Sequence, residues 1–251
     1  MALDKPRVLL ACPINIVKNY CIPDWLDAIK NLTYPNYDIY LVDNSNKTEY
    51  HKTLRNTHHV KIDHVNPDQN KEVRDLMALS MEKIRKRVLS RGYDYFFSLE
   101  CDIFPPAEII EVLMAHNKDV VGCSYFTEHG KDTKMQLLNV EEVRPNQFVS
   151  YYESWENVFA FYDGQLNLAY ANGIGCILIK RSVLEQITFR VSQSDIGYPD
   201  SFFHHDLFML GIRNYVDTSI IPKHWNSKWS TIPNDVKHAL MIANVKSQIN
   251  R

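Results

Sequence analysis

Apolar residues occur along the chain as short continuous runs, separated by stretches in which they recur at helical spacing. Residues 7–12 (RVLLAC) form an apolar run ended by Pro13, the pattern of a strand covered on both faces in a parallel sheet. Pro23 and Asp24 then open a segment with Trp25, Leu26, Ile29 and Leu32 on one side, which predicts a helix. Residues 38–43 (DIYLVD) predict a second strand closed by the turn-forming Asn44-Ser45-Asn46, and the alternation over 59–65 predicts a third. The longest helical pattern covers 72–91, with Val73, Leu76, Met77, Ser80, Ile84 and Val88 in one stripe and Gly92 as its stop. A strand over 94–99, a loop over 100–105, a helix over 106–115 and a strand over 119–123 follow.

From residue 127 the rhythm changes. Residues 127–170 are polar, rich in aromatics and weakly periodic, which predicts loops and antiparallel strands. Residues 171–179 (ANGIGCILI) place two glycines in an apolar strand, the mark of a bend or of backbone lying close to a ligand. Helices over 181–187 and 201–211, a closing strand over 215–221 and a last helix over 235–249 complete the pattern. Strands alternating with helices at this spacing predict an α/β sandwich around a mostly parallel sheet.

With 251 residues the chain suits one large domain, and 45% hydrophobic with 23% charged residues excludes disorder. A net charge of −2 provides no general field for polyanions, which argues against nucleic-acid binding as a default. One local exception is the basic run Lys83, Arg85, Lys86, Arg87 and Arg91 on the long helix, most simply a solvated face. The five cysteines are scattered without a C-x-x-C pair, which points to free buried thiols rather than a disulfide framework or a zinc site. No apolar run is long enough for a membrane span and the first residues lack a cleavage pattern, so a cytoplasmic location is expected.

Residues 93–106 (YDYFFSLECDIFPP) carry the strongest chemical signal. A buried aromatic strand delivers Glu100 and Asp102, two residues apart, onto a loop at its carboxyl end, where open α/β sheets bind ligands. Two carboxylates there suit a hard divalent cation that also bridges phosphate oxygens, Mg2+ or Mn2+; as an alternative, the pair caps the following turn.

Glu100-Cys101-Asp102 followed by apolar residues and prolines resembles the Asp-x-Asp motif of the family-two-like glycosyltransferases of the GT-A fold. The resemblance covers residues 6–224 and implies a GT-A type, Rossmann-like α/β/α sandwich. Residues 1–126 would be the nucleotide-binding half, 127–225 the acceptor half, and 226–251 a tail that closes as a lid with Lys223, Lys228, Trp225 and Trp229. By that resemblance Asp102 is a metal ligand and His224, 18 residues beyond Asp206, is another; Glu100 touches ribose, the metal or a metal-bound water. Imidazole beside carboxylate suits Mn2+ better than Mg2+. Pro13, Asp43 in VDNSN, Arg74, Cys101 and Gly173 are placed along the nucleotide and its sugar, and Asp206 in the HHD segment takes the place of the base that deprotonates the acceptor hydroxyl.

These parts imply transfer of a sugar from a nucleotide-sugar donor, a UDP-sugar by family default, to a hydroxyl acceptor such as a glycan or a small molecule, with inversion. Two other readings are a glycosyltransferase acting on modified bases in DNA, drawn from the basic run, and a non-catalytic nucleotide- or sugar-binding module of the same fold, drawn from Glu100 and His205 standing where the family has Asp and Glu. A nucleotidyltransferase is disfavoured, since residues 13–18 contain no glycine to cradle phosphate.

Overall fold

The computed structural model describes residues 5–46, 49–66, 71–129, 132–145, 147–194 and 197–225. The expected helix over 235–249 and the lid residues Lys228 and Trp229 lie outside them. The first part of the chain contains β1 (Val8–Ile14), α1 (Ile22–Lys30), β2 (Tyr37–Asp43), α2 (Tyr50–His58), β3 (Lys61–His64), α3 (Val73–Arg91) and β4 (Tyr95–Leu99). After it come β5 (Ile103–Phe104), α4 (Ile109–Ala115), β6 (Val120–Gly122), β7 (Phe126–His129), β8 (Asp132–Met135), β9 (Leu138–Arg144), β10 (Gln147–Tyr152) and α5 (Trp155–Phe161). The described residues end with β11 (Leu166–Leu168), β12 (Cys176–Lys180), α6 (Arg181–Leu184), α7 (Pro199–Met209), β13 (Asn214–Asp217) and β14 (Lys223–His224).

The central sheet has eight strands in the order β11-β13-β6-β12-β4-β1-β2-β3. β12 runs antiparallel to both β4 and β6, and β11 opposes β13; the remaining pairings are parallel. Alternation along β1 explains the sandwich. Val8, Leu10, Cys12 and Ile14 face a layer holding Trp25 and Leu26 of α1 and Ile110 and Leu113 of α4. Leu9 and Ala11 face Met81, Ile84 and Val88 of α3 and Phe203 and Leu207 of α7. A smaller cluster around Phe126, Met135, Val158 and Tyr162 seats the β7–β8 hairpin and α5 beside the sheet.

Three differences from the sequence reading have physical causes. β1 continues through Pro13 to Ile14. Its ladder to β4 has already ended at Ala11↔Ser98, so beyond that point only β2 needs partners and a missing N–H is tolerated. α2 escapes the pattern because only Tyr50 and Leu54 of its residues are buried; its helicity comes from packing, and His59 in the left-handed conformation (φ 54) ends it. β12 begins at Cys176; residues 171–175 form no strand and are held by the bridge Leu138↔Ala171, by Asn214 Nδ2 donating to Asn172 Oδ1 and by Glu100 N–H donating to Gly175 O, with Gly173 lining a cavity.

Candidate functional site

At the carboxyl ends of β1, β2 and β4 a cavity of about 370 Å³ opens, lined by Pro13, Asn15, Lys18, Asn44, Glu100 and Asp102 and floored by Val73, Leu76 and Met77 from the start of α3. The exposed N-terminal end of the α3 stripe is thereby explained: Val73, Leu76 and Met77 face this crevice rather than the core, which takes Met81, Ile84 and Val88.

Asp102 is buried at the lip. Its Oδ2 accepts from the Lys18 ammonium and lies 3.3 Å from His224 Nε2. Burial alone would raise the Asp102 pKa; the His224 hydrogen bond and the Lys18 charge outweigh it and hold the group at about 2. His224 Nδ1 sits 2.6 Å from the Phe126 carbonyl oxygen, so it donates there and Nε2 is left facing the carboxylate. Burial lowers the His224 pKa, and the Asp102 carboxylate more than restores it. The ring is docked by the backbone: β14 pairs with β5 (His224↔Ile103), and Trp225 N–H donates to Asp102 O at 2.9 Å. An imidazole nitrogen and a carboxylate oxygen this close suit a borderline divalent ion. Lys223 lies over the Trp225 ring, which also leans on Phe104, so that part of the expected lid is packed beside the acid loop.

Glu100 does not complete a compact set. Among the described residues the only group of three ligand atoms mutually within 4.8 Å is Asp43–His51–His64, away from Asp102. The Glu100 carboxyl is pushed up to about 7 by burial first and the Asp102 charge second. Its backbone N–H donates to Gly175 O at 2.9 Å, and a Cβ on Gly175 would meet Glu100 Oε2 at 2.9 Å and the Tyr125 hydroxyl at 2.3 Å. Gly173, at φ +73, passes close to the same hydroxyl. Beyond these glycines lies a second cavity of about 170 Å³, lined by Gly173, Tyr152, Tyr198, Asp200 and His204.

The other expected residues divide. Pro13 and Cys101 line the first cavity, although the Cys101 thiol is turned to the Cys12 thiol, and that contact, with burial, raises its pKa against the opposing effect of Cys21. All five cysteines are free and buried. Asp43 is fully buried behind the crevice, with Oδ1 taken by Ser45 N–H and Oγ–H and Oδ2 beside His64; its neighbour Asn44 faces the cavity and accepts from Asn15. Arg74 donates to Glu72 and lines a shallow neighbouring cavity with Lys71 and Tyr198. Asp206 stands two turns into α7, bound by Arg190.

Sequence reading passed over Asp200. It sits in the first turn of α7 behind Pro199 and lines the second cavity; burial raises its pKa, and its charge is felt by Glu100 and Tyr125. The signal was available: a proline followed by an acid marks a helix start, two residues ahead of the expected one. Lys18 was missed because nothing local distinguishes a lysine after a strand.

The chain superposes on solved glycosyltransferases. A mannosyltransferase from Pyrobaculum calidifontis, PcManGT, solved with GDP-Man and Mn2+, matches 98% of this chain and 62% of its own with a TM-score of 0.55 at 16% identity. S. aureus TarS residues 1–349 with UDP-GlcNAc matches 96% and 66% with a TM-score of 0.53 at 13% identity; a further TarS structure matches 84% and 34% at 0.50 and 12%. The fold is shared with these structures, a Rossmann-like α/β sandwich of the GT-A type. The chain thus spans about two thirds or less of these proteins' own lengths. No model of a known family matches the sequence, and no curated protein matches it. No helix among the described residues is long and apolar enough to cross a membrane.

Proposed function

We propose that the chain is a metal-dependent glycosyltransferase that takes a sugar from a nucleotide-sugar donor and gives it to an acceptor hydroxyl. The observation that carries this reading is buried Asp102, flanked by Lys18 and His224, at the rim of a nucleotide-sized crevice in a GT-A fold. The nucleoside belongs between Pro13, Asn15, Asn44 and Met77, and Asp43 supports that wall from behind. Asp102 and His224 would hold Mn2+ or Mg2+, which would supply positive charge against the departing diphosphate. The Lys18 ammonium, exchanged off Asp102, is placed to donate to the same phosphate oxygens. Glu100 lines the first cavity with its carboxyl beside Gly175, and the donor sugar would lie against Gly173 and Gly175.

Asp200 is the carboxylate best placed to take the acceptor proton, giving inversion, because it faces the second cavity beside Gly173 and burial raises its pKa, which makes it the stronger base. Asp206, held by Arg190, is the alternative. The basic run on α3 does not favour a DNA acceptor: Arg85 is tied to Glu82 and the Leu184 carbonyl, Arg87 lies over Tyr40, and Lys83 approaches Asp63.

Donor hydrolysis with Mn2+, over a panel containing UDP-GlcNAc and GDP-mannose, tests the reading. Activity is expected with at least one donor, lost in Asp102→Ala. Asp200→Asn should lower kcat by about 10²–10⁴-fold and Asp206→Asn by far less; the reverse order returns the base to Asp206. A panel in which no donor is cleaved or stabilises the protein overturns the enzyme reading.

A further inference from the structure

Outside the crevice, one cluster combines ligand chemistry, burial and an unmet need. Asp43 ends β2 and His64 ends β3, and the two are register partners in the parallel ladder (Asp43↔His64), with Val65 N–H donating to Asp43 O at 2.8 Å. His51 enters from the first turn of α2 and stacks on His64, with ring centroids 4.7 Å apart and planes inclined by 17°. Asp43 Oδ2 lies 3.0 Å from His64 Nδ1 and 3.6 Å from His51 Nδ1. The second distance is past hydrogen-bond reach, and His51 Nδ1 is buried without a hydrogen-bond partner. A hydrogen-bonded Asp–His pair therefore leaves His51 Nδ1 bare inside the protein, as is His64 Nε2, which is unfavourable.

We propose that Asp43, His51 and His64 form a second metal site, separate from Asp102 and His224, for a divalent transition cation of the Zn2+ class. Two imidazoles and one carboxylate are the donor set such ions select. Bonds of about 2.0–2.1 Å in tetrahedral geometry put ligand atoms about 3.3–3.4 Å apart. The Asp43 contacts of 3.0 and 3.6 Å bracket that spacing, and one ligand atom from each residue falls within 4.8 Å of the others. The second shell is also built. Asp43 Oδ1 accepts from Ser45 N–H at 3.0 Å and Ser45 Oγ–H at 2.6 Å, which fixes the carboxylate with Oδ2 toward the rings. Side chains of both histidines are 13% exposed, so an ion has a way in and a fourth position for water. The site clamps α2, a helix with only Tyr50 and Leu54 buried, to the sheet edge behind Asn44 and the nucleoside wall.

Co2+ serves as the probe, because its visible absorption bands report nitrogen and oxygen donors. In an Asp102→Ala background, which removes the crevice site, one Co2+ per chain should still bind with visible bands. Adding His64→Ala or His51→Gln should weaken that binding by about tenfold or more, since each removes one of three protein ligands. Absence of bands in Asp102→Ala overturns the proposal, as does their survival after either histidine is replaced. Should His64→Ala fail to fold, melting of the single and Asp102→Ala/His51→Gln proteins with Zn2+ and with EDTA decides the matter. Zn2+ should raise the Tm of the first and not of the second; equal shifts overturn the site.

Discussion

Replacing Gly175 by alanine tests how closely the fold and the site are joined. Gly175 carries no unusual φ, so the substitution is a purely steric perturbation. The new methyl would lie 2.3 Å from the Tyr125 hydroxyl oxygen, 2.7 Å from its Cζ and 2.9 Å from Glu100 Oε2, where ordinary contact begins near 3.4 Å. Tyr125 cannot swing away: it is buried, and its ring meets the edge of His224 at 5.3 Å. Overpacking of this kind costs roughly 1–3 kcal/mol, and the overlap places Gly175→Ala toward the upper end. At about 2–4 °C per kcal/mol for a chain of this size, the Tm should fall by roughly 5–12 °C. Tyr125→Phe in the same chain removes the nearest atom but not Cζ, so it should restore part of the loss, read as a positive coupling in a double-mutant cycle. Gly92→Ala separates the conformational effect from the steric one, since nothing lies within 4 Å there and only its φ of +69 is strained. A Gly175→Ala protein melting within about 1 °C of wild type, or a Tyr125→Phe that gives no relief, would refute the packing of the glycine segment against the acid loop.

Two further outcomes follow from the charges at the crevice. Asp102 titrates at about 2 in the folded protein, below its unfolded value near 3.9, so its contribution to stability is fully present above pH 4–5 and disappears as pH falls toward 2. Urea titrations in EDTA should show Asp102→Asn less stable than wild type at pH 6 and the gap closing by pH 2.5; a gap independent of pH would contradict the pairing. Lys18→Met removes the cation that occupies Asp102 Oδ2, so Mn2+ should bind the free protein more tightly, by about tenfold, while the donor KM rises. Calorimetry showing unchanged or weaker Mn2+ binding would place Lys18 outside the exchange.

Strands were legible wherever both faces of the sheet are covered, because burial on both sides leaves an unbroken apolar run such as residues 8–12. The α3 stripe was legible for the same reason, although its first turn serves the cavity and not the core. α2 was not, since two buried positions make no period. At the site, local spacing singled out Glu100 and Asp102, and the family resemblance, through the interval from Asp206, singled out His224. Lys18 and Tyr125 stayed hidden because their roles exist only after β1 is placed beside β4 and the 171–175 segment is laid against both. Asp206 and Asp200 show the converse limit: both lie on one helix, and only the position of the second cavity distinguishes the one near Gly173 from the one held by Arg190.

How Asp102 and His224 come together bears on what would govern metal binding. They are 122 residues apart, yet His224 is fixed by main-chain bonds to the loop that carries Asp102, β14 on β5 and Trp225 N–H on Asp102 O, and by its ring Nδ1 on the Phe126 carbonyl of β7. Those bonds set the ring's orientation and leave Nε2 directed at Oδ2 before any ion arrives, so little ligand ordering remains to oppose binding. What does oppose it is the Lys18 ammonium, whose attraction to a buried carboxylate must be given up. A donor diphosphate offers that ammonium new anionic partners as the ion takes its place. Ion and donor should therefore bind with positive coupling, each lowering the cost of the other, and Lys18→Met should weaken that coupling even as it tightens binding of the ion alone.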